Sequence, residues 1–174
     1  MNSLSKFIPM SLVVLSSMTC THLWAATQTQ CTSIPSIIDD GNADGSIAHP
    51  YILASDQEVD INSIKAGTDV YLAFNKDTKG MPAFLAGLMK NSDENVTITE
   101  RKDCPPTQSD FDFNGITVFK SKDVGRILVS YVEDTQADAN YWFKIHANTD
   151  VSMIGFEPIL QGDDSTLQDI LNFQ

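Results

Sequence analysis

The sequence has few of the residues that the familiar catalytic and metal-binding motifs require. Its 174 residues include only three histidines and three cysteines. His49 and His146, the two histidines outside the N-terminal segment, do not stand in a zinc-binding spacing such as H-E-x-x-H. The sequence also lacks a G-x-S-x-G elbow, a phosphate-binding loop and a dinucleotide fingerprint. These absences remove the enzyme classes that such motifs define.

Positive charge is scarce and is confined to the middle of the chain. There are 11 Lys and Arg against 23 Asp and Glu, which gives a net charge of −12. Beyond the first 26 residues, every Lys and Arg lies between Lys65 and Lys144, so both ends of that part are acidic. Because like charges repel, we expect neither nucleic acid nor an anionic membrane surface as a partner. The acidic ends favour solubility, and partial neutralisation by bound cations is the alternative interpretation.

No apolar run is long enough to cross a membrane, but a short one marks the N-terminus. Lys6 precedes about ten strongly apolar residues, against the roughly 20 of a membrane helix, and small residues follow up to Ala25 and Ala26. This order of regions is typical of a secretory signal peptide. We expect cleavage after Ala25 or Ala26, which removes residues 1–26 and leaves 27–174 as a single domain. The mature protein is then soluble, secreted or periplasmic, with no membrane insertion.

Two cysteines remain after that cleavage, Cys31 and Cys104. In an exported protein such a pair is expected to form a disulfide. The closed loop of about 73 residues would contribute on the order of 4 kcal/mol to stability. A metal-binding or catalytic thiol is the alternative, and the oxidising compartment and the lack of a C-x-x-C motif argue against it.

Short runs of alternating or β-branched residues recur along the chain between polar turns. Examples are 58–62, 69–74 and 126–132. About eight such strands, with no alternation of strands and long helices, predict a mainly β fold: an antiparallel β-sandwich, jelly-roll or immunoglobulin-like. One or two short helices are also predicted, over Pro82–Met89, where apolar residues follow a helical spacing, and over 164–173, where Ser165 begins a capping box.

An acidic stretch with two glycines is the most specific motif in the chain. In a calcium loop, oxygen ligands come from positions 1, 3 and 5 and from the backbone of position 7, with Gly at position 6. With Asp40 as position 1, those later positions hold Asn42, Asp44 and Ser46, and Gly45 takes position 6. The stretch resembles the D-x-N-x-D-G calcium loops of EF-hands and dockerin modules, and this resemblance implies calcium as a cofactor.

The motif is incomplete at its far end. Position 12 is Tyr51 rather than Glu, and strands rather than a helix are predicted to follow. A bound calcium would need its closing carboxylate from Asp56 or Glu58. The alternative is an ordinary surface turn, because Asp, Asn and Gly all favour turns.

Three adjacent aromatic residues, Tyr141, Trp142 and Phe143, lie in a predicted strand, where neighbouring side chains point to opposite faces. If one of those faces is exposed, the aromatic side chains would suit sugar or protein recognition. If both faces are covered, they are core residues.

The function predicted from these observations is that of an exported, soluble, non-enzymatic β-sandwich that binds a protein or a glycan. Calcium would stiffen the loop at Asp40. One alternative is a small secreted hydrolase, which needs His49 or His146 beside a carboxylate or hydroxyl. Another is an inhibitor or surface-assembly subunit, recognisable by an exposed apolar patch or strand edge.

Overall fold

A computed structural model describes residues 31, 36–37, 39–55, 57–91, 93–107, 116–121, 125–132 and 135–163, with the backbone alone for 116–121. The helix predicted over 164–173 lies outside these residues. Within them there is no helix, and so none that could span a membrane. The described residues form nine strands: β1 (Tyr51–Leu53), β2 (Val59–Ile61), β3 (Asp69–Phe74), β4 (Pro82–Met89), β5 (Val96–Lys102), β6 (Ile116–Ser121), β7 (Gly125–Tyr131), β8 (Tyr141–Ala147) and β9 (Ile154–Leu160).

The strands form two sheets, which confirms the predicted β-sandwich. The four-stranded sheet has the order β1-β3-β8-β5, and the five-stranded sheet has the order β2-β9-β4-β7-β6. Among the described pairings only β1 with β3 is parallel, and the others are antiparallel.

The core lies between the two sheets and is built from alternate residues of their strands. Leu72 and Phe143 face it from the four-stranded sheet, and Leu85, Leu128 and Phe156 face it from the five-stranded sheet. Each of these side chains is at most 1% exposed. Since side chains alternate across a strand, the residues between them point to the two outer faces of the sandwich.

The helix predicted over Pro82–Met89 is wrong, because this segment is strand β4. It lies in the middle of the five-stranded sheet, between β9 and β7. A central strand with apolar residues on both faces shows no alternation in its sequence, so its apolar positions matched a helical spacing by coincidence. Pro82 is the first residue of the strand, where the missing N–H costs little.

The predicted disulfide joins Cys31 to Cys104, with their Cα atoms 6.1 Å apart. Cys104 follows β5, which is an edge strand of the four-stranded sheet. The bond therefore ties the chain at Cys31 to that edge.

The three adjacent aromatic residues lie in β8, between β3 and β5, and none of them is exposed. Tyr141 and Phe143 belong to the core, and Trp142 points to the opposite face. All three are at most 1% exposed, so both faces of β8 are covered at this point. These side chains pack within the protein and offer no open recognition surface.

Candidate functional site

The acidic loop, residues 39–49, is held by hydrogen bonds from its carboxylates to its own backbone. Asp40 accepts the N–H of Asn42 at 2.9 Å, and Asp44 accepts that of Ser46 at 2.8 Å. The pKa of Asp40 is lowered, chiefly by the Asn42 N–H, and that of Asp44 is lowered, chiefly by the hydroxyl and the N–H of Ser46. Asp40 also lies 3.3 Å from Nδ1 of His49. The loop thus stabilises its own negative charges.

Gly45 anchors this loop to the four-stranded sheet. Its carbonyl accepts the N–H of Tyr71 in β3 at 2.7 Å, and its own N–H donates to the carbonyl of His49 at 3.0 Å. Its φ is +78°, and a Cβ there would lie 2.7 Å from Val70 and 2.9 Å from the ring of Tyr51. Only glycine fits this close approach without strain.

Glu58, one of the two residues predicted to close a calcium site, is directed to the other sheet. Its carboxylate lies over Gly155 of β9, within contact distance of the place that a Cβ would occupy. The other predicted residue, Asp56, lies outside the described residues. In the part of the chain that the structure describes, no group of three or more His, Cys, Asp or Glu is arranged to hold a metal ion. Calcium binding by the loop stays a prediction.

His146, like His49, is paired with a carboxylate. Its Nδ1 lies 2.7 Å from Oδ1 of Asp69, which is an ordinary distance for a hydrogen bond between an imidazole and a carboxylate. Thr97 lies opposite His146 in the sheet, but its hydroxyl accepts a hydrogen bond from Asn148 at 2.9 Å. Over the described ranges, no hydroxyl is hydrogen-bonded to either imidazole. The structure therefore places an imidazole beside a carboxylate, and in the described part of the chain it holds no hydroxyl against that imidazole.

The outer face of the five-stranded sheet carries an apolar stripe. It consists of three cross-strand pairs between the neighbouring strands β4 and β7, and all six side chains are apolar or aromatic. The pairs are Phe84 with Tyr131, Ala86 with Val129, and Leu88 with Ile127.

The two ends of the apolar stripe reach solvent. Tyr131 is 50% exposed and Leu88 is 42% exposed, and Phe84 is half-buried with its ring edge-to-face against Tyr131 at 5.5 Å. Outward positions of a sandwich strand are commonly polar. The sequence did carry a signal for this stripe, because the runs 82–89 and 127–129 are apolar at both alternating positions, which indicates strands covered on both faces.

Three carboxylates border the apolar stripe on the same outer face. Asp60 pairs with Gly155, and Glu157 pairs with Ala86 of the stripe, while Glu58 reaches over Gly155. We call Glu58, Asp60 and Glu157 the acid row.

Among the described residues, no positive charge compensates the acid row. In the part of the chain described, none of its three carboxylates has a hydrogen bond or an ion pair. The pKa of Glu58 is raised, first by partial desolvation of its carboxylate against the sheet and then by the negative charges of Asp60 and Glu157. Repulsion within the row is therefore unrelieved, in contrast to the acidic loop.

Comparison with models of known protein families, with curated proteins and with solved structures found no match to this chain.

Proposed function

We propose that the mature protein is an exported, non-enzymatic binding module that recognises a protein partner through the apolar stripe. The observation that carries this proposal is the outward exposure of Leu88 and Tyr131 from two central strands. Large apolar side chains that reach solvent from an outer sheet face are costly to hydrate and are typical of protein interaction sites. Between these two ends, Ala86, Ile127 and Val129 are at most 9% exposed, so the contact surface lies at Leu88 and Tyr131. Inhibitors and surface-assembly subunits both use surfaces of this kind.

The position of the apolar stripe within the sheet also favours recognition. β4 and β7 are both hydrogen-bonded to neighbours on their two sides, so the stripe stands on a rigid platform. A surface that is already ordered loses little conformational entropy when a partner binds. Tyrosine is among the residues that contribute most to the free energy of protein binding, which makes Tyr131 the expected centre of the contact.

Export is supported by two sequence features that point to the same compartment. The N-terminal segment has the order of a signal peptide, and the paired cysteines Cys31 and Cys104 suit an oxidising environment. Fractionation of the producing cells and N-terminal sequencing of the purified protein test this part. We expect a mature terminus at Ala26 or Thr27, outside the cytoplasm.

Site-specific photo-crosslinking in the producing cells tests the recognition surface. A photoreactive phenylalanine analogue replaces Tyr131 or Leu88 and, as matched controls, Asp77 or Asp138, which are exposed and outside the stripe. We expect a discrete cross-linked protein from the first two positions, lost when the neighbouring stripe residue is changed to Asp, and none from the controls. An absence of adducts at both stripe positions would overturn the proposal.

Calcium binding at Asp40 is tested separately, by calorimetry on the purified mature protein. If the loop binds calcium, titration produces heat, the melting temperature rises, and Asp40→Asn removes both effects. No heat, together with a melting temperature that a chelator leaves unchanged, would remove calcium from the description of this protein.

A further inference from the structure

We propose that the partner presents a cationic amphipathic segment, with its apolar side chains on the apolar stripe and its Lys or Arg side chains against the acid row. This inference rests on the proposed function, because it names the chemistry of the partner that the stripe recognises. It is carried by the position of the acid row beside the stripe on one outer face.

The acid row and the apolar stripe together are slightly wider than one α-helix. Glu157 lies one strand from Ala86 of the stripe, and Asp60 lies one strand further. From β2 through β9 and β4 to β7 there are three strand spacings, or about 14 Å. An α-helix with its side chains is about 10–12 Å across, so a single helix can reach both features. Its apolar side would contact the exposed end of the stripe at Leu88, which pairs with Gly155, while its edge meets the acids.

The charges of the face select for a basic partner. Glu58 and Asp60 are exposed and Glu157 is half-buried, and the described residues supply no cation to any of them. A partner that brings Lys or Arg relieves the repulsion within the row, and a partner that brings acids increases it.

Two occupants from this chain itself are disfavoured by the same charges. The segment 164–174 contains Asp164 and Asp169 and no Lys or Arg, so it would add negative charge beside the acid row. A second copy of the chain carries a net charge of −12 and is also repelled at long range. Both occupants remain distinguishable outcomes of the experiment below.

The test uses two synthetic amphipathic helical peptides of about five turns that share one leucine face. One peptide has Lys on its polar face, and the other has Glu at the same positions. Fluorescence anisotropy measures the affinity of each peptide for the full mature protein. We expect the Lys peptide to bind and the Glu peptide to bind at least about tenfold more weakly.

Two double variants, each of which removes two negative charges, distinguish binding at the acid row from attraction of the Lys peptide to the net negative charge of the protein. Glu58→Gln with Asp60→Asn should weaken binding of the Lys peptide about threefold to tenfold, since each exposed ion pair contributes modestly. Asp77→Asn with Asp138→Asn, which lie outside this face, should change the affinity less than about twofold. Leu88→Asp should reduce binding of the Lys peptide most, and circular dichroism establishes that each variant is folded.

The outcomes distinguish this inference from the proposed function. Equal weakening by the two double variants, or equal affinity for the two peptides, overturns the cationic partner. Binding of neither peptide, while Tyr131 still cross-links in cells, also overturns it and leaves the proposed function standing. Cross-linking of Tyr131 to the chain's own segment 164–174 or to a second copy overturns both proposals.

Discussion

Two acidic regions of this molecule carry the same kind of side chain in opposite electrostatic states. In the acidic loop, Asp40 and Asp44 each accept a backbone N–H, and the pKa of each carboxyl is lowered. In the acid row, Glu58 has no such donor in the described part of the chain, and its pKa is raised by partial desolvation and by its acidic neighbours. Hydrogen bonds within the loop stabilise its negative charges, and no described residue does the same for Glu58 in the row.

The two regions also differ in how the sequence announces them. The spacing of acids and glycines that resembles a calcium loop is also a spacing that lets each Asp bond its own backbone two residues on. The acid row has no motif, because Glu58 and Asp60 lie far from Glu157 in the sequence. The strongest local pattern in the sequence therefore marks the region whose carboxylates are already engaged.

Removing the disulfide should change the stability of the protein most. This bond begins upstream of the acidic loop, and the acid row has no comparable covalent link. Replacing Cys31 and Cys104 by Ser should lower the free energy of unfolding by about 4 kcal/mol, because the unfolded chain regains the freedom of the closed loop. Urea unfolding of the variant and of the oxidised protein measures the difference. Equal midpoints would show that the bond does not constrain the unfolded chain as argued.

A matched pair of glycine substitutions compares the two regions directly. Gly45→Ala should lower the free energy of unfolding by about 2–4 kcal/mol, because φ is +78° and the new Cβ would collide with Val70 and Tyr51. Gly155→Ala should lower the free energy of unfolding by less than about 0.5 kcal/mol, because the new Cβ meets the flexible end of Glu58, which can move into solvent. Thermal unfolding of both variants tests the contrast, and a larger cost at Gly155 would mean that the acid row is as rigid as the loop.

The carboxylate of Glu94 is buried and, like those of the loop, is stabilised by hydrogen-bond donors of the protein. It is 6% exposed and accepts hydrogen bonds from the N–H and hydroxyl of Ser152 at 2.7 and 2.6 Å and from Asn91 at 3.0 Å. Burial acts to raise the pKa of Glu94, but these donors outweigh it and lower the pKa. The stability that the ionised group contributes is present above its ordinary pKa of 4.5 and is lost as the pH falls through the lower folded value.

Replacing Glu94 by Gln should therefore lower the free energy of unfolding by about 2 kcal/mol at neutral pH. The amide group of Gln replaces one acceptor oxygen by an NH₂ group, which cannot accept a hydrogen bond from the surrounding donors. The difference from the unchanged protein should shrink below pH 4.5. Urea unfolding at several pH values measures it. A cost that is independent of pH would assign the effect to packing rather than to the carboxylate.

The sequence predicted the sandwich and the disulfide, because alternating strands and paired cysteines are local or compositional signals. It mistook Pro82–Met89 for a helix, since a central strand with two apolar faces loses the alternation that identifies strands. The acid row could not be predicted, because Glu58 and Glu157 lie far apart in the chain and meet only through the pairing of β2, β9 and β4. The register between strands is set by the tertiary fold and cannot be predicted from composition.

Removing one carboxylate charge from either region should change the melting temperature only slightly, but in opposite directions in the acid row and in the acidic loop. The pKa of Glu58 is raised above its ordinary value of 4.5, so the folded protein is destabilised as the pH rises through that higher value. Glu58→Gln should then raise the melting temperature slightly at pH 7 and leave it unchanged at low pH. The pKa of Asp44 is lowered below 3.8, so its contribution is lost as the pH falls through the folded value.

Asp44→Asn, which keeps an oxygen for the N–H of Ser46, should therefore lower the melting temperature at pH 7 and converge with the unchanged protein in acid. Differential scanning calorimetry of both variants between pH 3 and pH 7 measures the two trends, with Asp77→Asn as the exposed control for a lost charge. If Glu58→Gln and Asp44→Asn shift the melting temperature at pH 7 in the same direction, the carboxylates of the loop and of the row are not in different electrostatic states. A basic partner would then gain nothing by relieving repulsion at the row.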